Sequence, residues 1–279
     1  MGMELGLYLA FGGLAGLLSG LFGIGGGVVI VPFLAWFFSL RGFPPDSIMI
    51  MAVATSLATI VVTSVSAVYA HHRLGAVQWH TVFRMAPGIL AGSVIGSIIA
   101  ERLPAHGFKL IFAVFLLYVA ARLSIDTKAK EGRSHTPGGW LYSAAGIAIG
   151  SVSSILGIGG GTLSVPFLVK CRFPIRNAVA ISSACGFPIA VAGSLTYIAL
   201  GLDKTVLPLG SLGYVYLPAF AGIVTTSIPF APMGARLAHR LPTRKLRRMF
   251  AVVVLIVGTK LFWQAVRPWL EIEFHSEFG

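Results

Sequence analysis

Gly23-Ile24-Gly25-Gly26-Gly27-Val28-Val29-Ile30-Val31-Pro32-Phe33-Leu34 returns later in the chain as Gly157-Ile158-Gly159-Gly160-Gly161-Thr162-Leu163-Ser164-Val165-Pro166-Phe167-Leu168. Working outward from this block at an offset of 134 residues, Leu7–Leu34 lies over Leu141–Leu168 with 15 of 28 positions identical, Tyr8/Tyr142, Gly12/Gly146, Gly16/Gly150 and Ser19/Ser153 among them. The match continues at drifting offsets: Phe43-Pro44 pairs with Phe173-Pro174, Ala52-Val53-Ala54 with Ala178-Val179-Ala180, and Leu103-Pro104 with Leu241-Pro242. An internal repeat this long means one structural unit written twice. The expected organisation is a first membrane repeat over 1–123, a cytoplasmic linker over 124–139 and a second membrane repeat over 140–279. The linker is polar, with Lys128, Lys130, Glu131 and Arg133.

Composition says where such a unit lives. The 279 residues are 56% hydrophobic and 11% charged, with a mean hydropathy of +0.86. A soluble domain is about 25% charged, so this chain cannot cover a globule with a solvated surface, and a cytosolic enzyme is excluded. Apolar runs of about 20 residues recur throughout, each matching a bilayer crossing; a β-barrel would show ~10-residue alternating segments instead. The net charge of +12 sits in short clusters between apolar runs, as positive-inside loops do. The expected partner of that charge is therefore the lipid bilayer and not nucleic acid. Cys171 and Cys185 make no disulfide framework and no CxxC pair. The N-terminal run lacks a positive n-region and a cleavage site, and reads as a retained first span.

Each repeat offers five apolar segments, at about 5–22, 28–40, 47–70, 84–100 and 108–123, then 140–156, 162–169, 177–200, 214–231 and 249–266. The second of each set is short: Val28–Leu40 spans about 20 Å at 1.5 Å per residue, against a hydrocarbon core of ~30 Å. Either the glycine turn lies inside the membrane or segments one and two form one broken span. Loop charge separates the two. Five crossings per repeat put 15 Lys and Arg on one side and 5 on the other, whereas four crossings give 12 and 8. The stronger asymmetry selects an all-α polytopic membrane protein of about ten segments with both termini outside. An odd number of crossings per repeat makes the two repeats inverted, the architecture of many secondary transporters, whose substrate lies where discontinuous helices meet near the midplane.

Four glycines in five positions are a poor helix interior, each costing about 1 kcal/mol relative to Ala. Irregular backbone at membrane depth is tolerated only where it is buried in protein or faces a wet cavity. Each block therefore reads as a break followed by a half-helix carrying Pro32 or Pro166 near its start, where a missing N–H costs little. The free amides and partial positive charge of such a terminus attract anions. Gly25, Gly26, Gly27, Gly159, Gly160, Gly161 and Thr162 are the resulting candidate substrate contacts; the competing reading is that the glycines only shape a tight helical hairpin. The Walker and dinucleotide fingerprints are both incomplete here.

Hydroxyls extend the candidate site. Ser56, Thr59, Thr63 and Ser66 share one helical face, with Thr55 beside it, and Ser182 and Ser183 occupy the equivalent segment. They either donate to an oxyanion or bond neighbouring helices. Gly12, Gly16 and Gly20, with Gly88, Gly92 and Gly96, form small-residue ridges for close helix packing. All nine acids fall in loops or near helix ends, so a carboxylate relay, a carboxylate cation site and a metal site are not expected. His71 and His72 are the candidates for proton coupling, unless they are interfacial loop residues. Lys260 is expected to snorkel.

The doubled Gly-Ile-Gly-Gly-Gly with its Val-Pro-Phe-Leu, and Ala231-Pro232-x-Gly234-Ala235-Arg236-Leu237-Ala238-His239, resemble the sulfite exporter TauE/SafE family over nearly the whole chain. The resemblance implies an inner-membrane permease that exports small sulfur-containing anions such as sulfite or organosulfonates, acting as a secondary carrier with no cofactor. A passive anion channel, or an uptake carrier for another small oxyanion or carboxylate, is the alternative. A membrane-embedded enzyme finds no nucleophile–base–orienter set to support it.

Overall fold

The computed structural model describes residues 2–22, 26–124, 139–238, 251–252 and 254–266. Helices dominate them: α1 (Gly2–Phe22), α2 (Gly27–Leu40), α3 (Pro45–Arg73), α4 (Trp79–Arg102), α5 (Ala105–Ser124), α6 (Gly139–Leu156), α7 (Gly161–Lys170), α8 (Ile175–Gly201) and α9 (Leu217–Ala238). A further helix, α10, covers Val254–Val266. Among the described residues six helices are long and apolar enough to cross a membrane, namely α3, α4, α5, α6, α8 and α9. At 14 and 10 residues, α2 and α7 reach only about 21 and 15 Å. Most of the linker lies outside the described residues, as does Gly25.

The chain divides into two compact units that cut across the sequence repeat. One holds 1–102 and 128–241, thus α1–α4 and α6–α9; the other holds 103–127 and 242–279, thus α5 and α10. In the second unit Gly258 of α10 faces Leu116 and Leu117 of α5, with room for a β-carbon only 3.1 Å from Leu116 Cβ.

In the larger unit, helices of one repeat pack on helices of the other. The glycines of α1 lie against α9: Gly12 meets the Ile223 carbonyl, and a β-carbon on Gly16 would sit 2.6 Å from the Ser227 carbonyl oxygen. Gly234 of α9 meets the Leu17 carbonyl, and Thr226 donates to the Leu9 carbonyl at 2.7 Å. Residue numbers rise together along both helices, so α1 and α9 run parallel. The equivalent pair is α6 with α4. A β-carbon on Gly146 would sit 2.6 Å from the Met85 oxygen, Gly150 meets Ile89, and Gly88, Gly92 and Gly96 meet Ser143, Ile147 and Ser151. These two helices also run parallel. The small-residue ridges thus serve as packing faces: backbones approach closely because no side chain intervenes.

Helix ends follow from local chemistry. Pro44 and Pro174 precede α3 and α8 as their N-caps, as proline's fixed φ and missing N–H favour at a helix start. The α2 C-terminus closes with Gly42 N–H on Ser39 and Phe43 N–H on Phe38, a Schellman pattern. The α7 C-terminus repeats it bond for bond, Arg172 on Val169 and Phe173 on Leu168, but with Arg172 at φ 62° where the first repeat has glycine.

One difference from the sequence expectation lies at segment nine. The apolar window 214–231 is not one helix; Ser211–Leu212 and Val215–Tyr216 form an antiparallel hairpin, β1 and β2, and α9 starts at Leu217. Gly213 at the turn takes a φ of 53° and packs on the Ile198 backbone. Tyr216 N–H donates to Thr55 Oγ1 at 2.9 Å, and its ring packs edge-on against Phe38 and Phe43 at 5.5 and 5.2 Å. At the surface of this unit, Lys204 pairs with Glu101 at 3.0 Å. That bond to the carboxylate raises the Lys204 pKa above its ordinary value.

Candidate functional site

The α6–α7 break is built by two glycines in the left-handed region. Gly157, at φ 66°, ends α6 in a Schellman pattern: Ile158 N–H bonds Ser153 at 3.0 Å and Gly157 N–H bonds Ser154 at 3.4 Å. Gly160, at φ 76°, is the N-cap of α7, and Gly26, at φ 75°, is the N-cap of α2. Both caps take a conformation that costs an L-residue with a β-carbon roughly 1–2 kcal/mol. The sequence repeat is thus a repeat of backbone geometry. The aromatic packing repeats as well, since Tyr8 meets Phe33 edge-on at 6.3 Å and Tyr142 meets Phe167 edge-on at 6.2 Å.

The structure brings the two breaks into contact at the centre of the larger unit. Gly27 lies against the Gly157 carbonyl and 2.9 Å, at its β-carbon position, from Ile158 Cα. Gly157 also packs on Val31 and Val53, and Ser56 Oγ donates to its carbonyl at 2.8 Å. From the other side α8 closes the break: a β-carbon on Gly186 would sit 2.9 Å from the Gly159 oxygen, and Gly160 meets Ile189 Cδ1. Val28, Val31, Ile158 and Ile189 around it are buried.

At α7 the first helical bonds run from Leu163 and Ser164 N–H to the Gly160 carbonyl, at 3.0 and 2.7 Å. At α2 they run from Val29 and Ile30 to Gly26, at 3.0 and 3.1 Å. Gly161 and Thr162 N–H, like Gly27 and Val28 N–H, find no backbone acceptor among the described residues. Each half-helix therefore starts with donor-only backbone and partial positive charge, with no carboxylate among the named surroundings, and the Gly157 carbonyl stands against the start of α2.

The candidate hydroxyls divide by what holds them. Thr55 accepts from Tyr216 N–H and Ser56 donates to Gly157, so both hold the architecture of the breaks. Thr59 and Thr63 bond carbonyls one turn back on their own helix, and Ser66 reaches across to Ile228 at 3.0 Å. Thr162 Oγ1 and Ser183 Oγ are buried without a partner among the described residues, and Ser183 stands one turn before Gly186 on the face that meets the break. Ser182 is fully buried. Pro32 and Pro166 lie inside α2 and α7 rather than at their starts, so each removes one intrahelical bond; the breaks themselves are made by glycine. His71 and His72 are separated: His71 is buried within the end of α3, while exposed His72 accepts at Nδ1 from Trp79 Nε1 at 3.2 Å.

Sequence reasoning missed two serines. Ser153 of α6 and Ser164 of α7 are fully buried, have no hydrogen-bond partner among the described residues, and lie beside Gly160. A buried hydroxyl left unpaired costs about 1–3 kcal/mol. The signal was available in the repeat itself, because Ser164 aligns with Ile30 and Thr162 with Val28.

Comparison with known proteins agrees with the doubled motif. The family described as Sulfite exporter TauE/SafE matches residues 8–261. A probable membrane transporter protein of Haemophilus influenzae is 38% identical over 92% of this chain and 97% of its own length. Others from Methanocaldococcus jannaschii and Bacillus subtilis are each 26% identical, over 90% and 95% of this chain and 93% and 99% of their own lengths. No solved structure matches it.

Proposed function

Because the chain belongs to the sulfite exporter TauE/SafE family and is a multi-pass membrane protein, we propose that it is a secondary transporter that exports small sulfur-containing anions, such as sulfite or organosulfonates, across the inner membrane. Its relatives are described as probable membrane transporters, and the family's description supplies sulfite. The observation that carries the anion reading is the pair of glycine-capped half-helices whose first amides find no backbone acceptor among the described residues, at the place where the start of α2 packs on the α6–α7 break, Gly27 against Gly157. Gly26, Gly27, Gly160, Gly161, Thr162 and the α8 hydroxyls face that place in this proposal, and His71 or His72 supplies proton coupling.

The same proposal gives the halves opposite orientations, with both termini periplasmic. Packing directions support it independently of loop charge. Tyr8 meets Phe37 and Phe11 meets Phe33, so α1 and α2 run antiparallel. The short 41–44 and 74–78 links then turn the chain again at α3 and at α4, which leaves α4 opposite to α1. Since α6 runs parallel to α4 and is the repeat of α1, the second half traverses in the reverse sense, as alternating access between inverted repeats requires.

Flux of sulfite from proteoliposomes of the purified chain tests the function. A saturable efflux, lost when Gly160 is replaced by Val, is expected. Non-saturating single-channel current would replace the carrier by a channel, and absence of any anion flux would refute the reading.

A further inference from the structure

We propose, resting on that reading, that the oxyanion is seated at one break and not at both, with Ser153 and Ser164 as its specificity-determining donors at the N-terminus of α7. The Oγ atoms of Ser153 and Ser164 lie 3.5 and 3.3 Å from the position a β-carbon would take on Gly160. Both are therefore aimed at the N-cap of the same ten-residue helix. Both are fully buried and unpaired, whereas most buried hydroxyls in native proteins find a partner. Thr162, in the first turn of that helix, adds a third unpaired Oγ1.

The positions of α2 that match Thr162 and Ser164 are Val28 and Ile30, which carry no donor. Ser153 is matched by Ser19 of α1, but the atoms nearest a β-carbon on Gly26 are those of Ala15 and not a serine hydroxyl. The first turn of α2 thus offers backbone alone, and Gly27 packs on the Gly157 carbonyl. Two N–H groups and up to three hydroxyls converging on one helix end suit a ligand that accepts in several directions from one compact head. A sulfite or sulfonate, with three oxygens on sulfur, has that form. A cation is disfavoured, because the amides can only donate and the helix end is partially positive. The repeat consequently supplies the scaffold twice and the specificity once, through two apolar-to-hydroxyl differences, Val28 against Thr162 and Ile30 against Ser164, concentrated at one of its copies.

The test uses the full chain in detergent, with sulfite and methanesulfonate as probes, and reads both ligand-free melting temperature and affinity from thermal shift. Ser153→Ala and Ser164→Ala are expected to keep or raise the ligand-free Tm, since each removes an unpaired buried polar atom. Each is expected to weaken sulfite binding about tenfold or more, as loss of a hydrogen bond to an anion does. Ile30→Val, at the matching place on α2, leaves affinity unchanged. Should an alanine variant fail to fold, Ser164→Cys preserves volume while losing the strong donor and is expected to show the same weakening. Wild-type affinity in both serine variants, with flux intact in the parent, overturns the seat but not the transporter. An equal loss in Ile30→Val overturns its one-sided placement. Failure of the parent to bind or move either anion overturns the anion reading, and the seat with it.

Discussion

Replacing Gly27 by alanine should damage this protein far more than one methyl group suggests. Gly27 opens α2 with ordinary helical backbone, so alanine meets no φ restriction there and even gains in helix propensity, about 1 kcal/mol. The cost is wholly steric. The added carbon would overlap the Gly157 carbonyl oxygen and lie 2.9 Å from Ile158 Cα and 3.0 Å from Gly157 C. All of these are backbone atoms, so no side chain can swing aside. The two breaks must separate, which for overpacking costs about 1–3 kcal/mol. Moving Gly157 also lengthens the 2.8 Å bond from Ser56 Oγ, worth about 0.5–1.5 kcal/mol. Subtracting the propensity gain leaves about 1–3 kcal/mol, or roughly 2–10 °C in Tm for a chain of this size. Thermal unfolding of the detergent-purified protein measures it. The control is Gly6→Ala on α1, where no atom lies within 4 Å of the new carbon. A second arm combines Gly27→Ala with Ser56→Ala; both act on Gly157, so their costs should fall short of additive. If Gly27→Ala melts with Gly6→Ala, the two breaks do not touch and the reasoning fails.

The remaining predictions concern the scaffold. Gly16→Leu and Gly150→Leu occupy equivalent places in the two parallel helix pairs and should destabilise to a similar degree, each forcing backbone apart at Ser227 or Ile89; a large disparity in Tm would mean the pairs are not equivalent. Arg172→Gly should stabilise by about 1 kcal/mol, because the left-handed conformation at φ 62° costs an L-residue roughly that much; a loss of Tm would show that the arginine side chain is needed there. Burial raises the Cys171 thiol above its ordinary value, so the thiolate is scarce at neutral pH and maleimide labelling of the folded protein should stay slow until the pH climbs past that of a free thiol. For the same reason its ionisation favours the unfolded chain, and stability should decline as pH rises through the unfolded thiol's value; fast labelling at pH 7 would contradict the buried placement.

Much of this architecture was legible because a glycine block is a backbone instruction. Gly26 and Gly160 cap helices in a conformation other residues resist, so the doubled block announced two breaks, and the apolar runs located the helices to within a few residues. Partnering was not legible. Periodicity tells which face of α1 is small, but not that α9 and not α4 covers it. The hairpin at 211–216 was hidden because Tyr214, Val215 and Tyr216 are as apolar as the helix that follows. Thr55 and Ser56 stood out as candidate hydroxyls, yet sequence could not say that Tyr216 N–H and the Gly157 carbonyl already hold them. Ser164 escaped notice because its signal lies only in the mismatch with Ile30, and Ser153 because it matches Ser19 and so marks no difference between the copies.

Swapped pairing also explains why the halves could diverge without falling apart. Because α1 is covered by α9 and α6 by α4, each half completes the core of the other, and a substitution in one repeat is felt at an interface contributed by both. Selection on packing therefore holds the glycine ridges and the αL caps alike in the two copies, Gly12/Gly146, Gly16/Gly150 and Gly26/Gly160 among the 15 identities. Positions outside those interfaces are released from that constraint. The α3–α4 link is short and rests on the second half through Asn177, whose Nδ2 donates to the Ala76 carbonyl at 2.9 Å. Its counterpart, the α8–α9 link, has grown into the hairpin that reaches Thr55, eleven residues and about 16 Å into α3; the residue matching Thr55 is Ile181, which offers no acceptor. The first turns of the half-helices differ in the same way, Val28 and Ile30 against Thr162 and Ser164. Symmetry is thus kept where two backbones must touch and given up where a side chain can choose a partner, so chemical selectivity in such a doubled fold belongs to the places where its copies disagree.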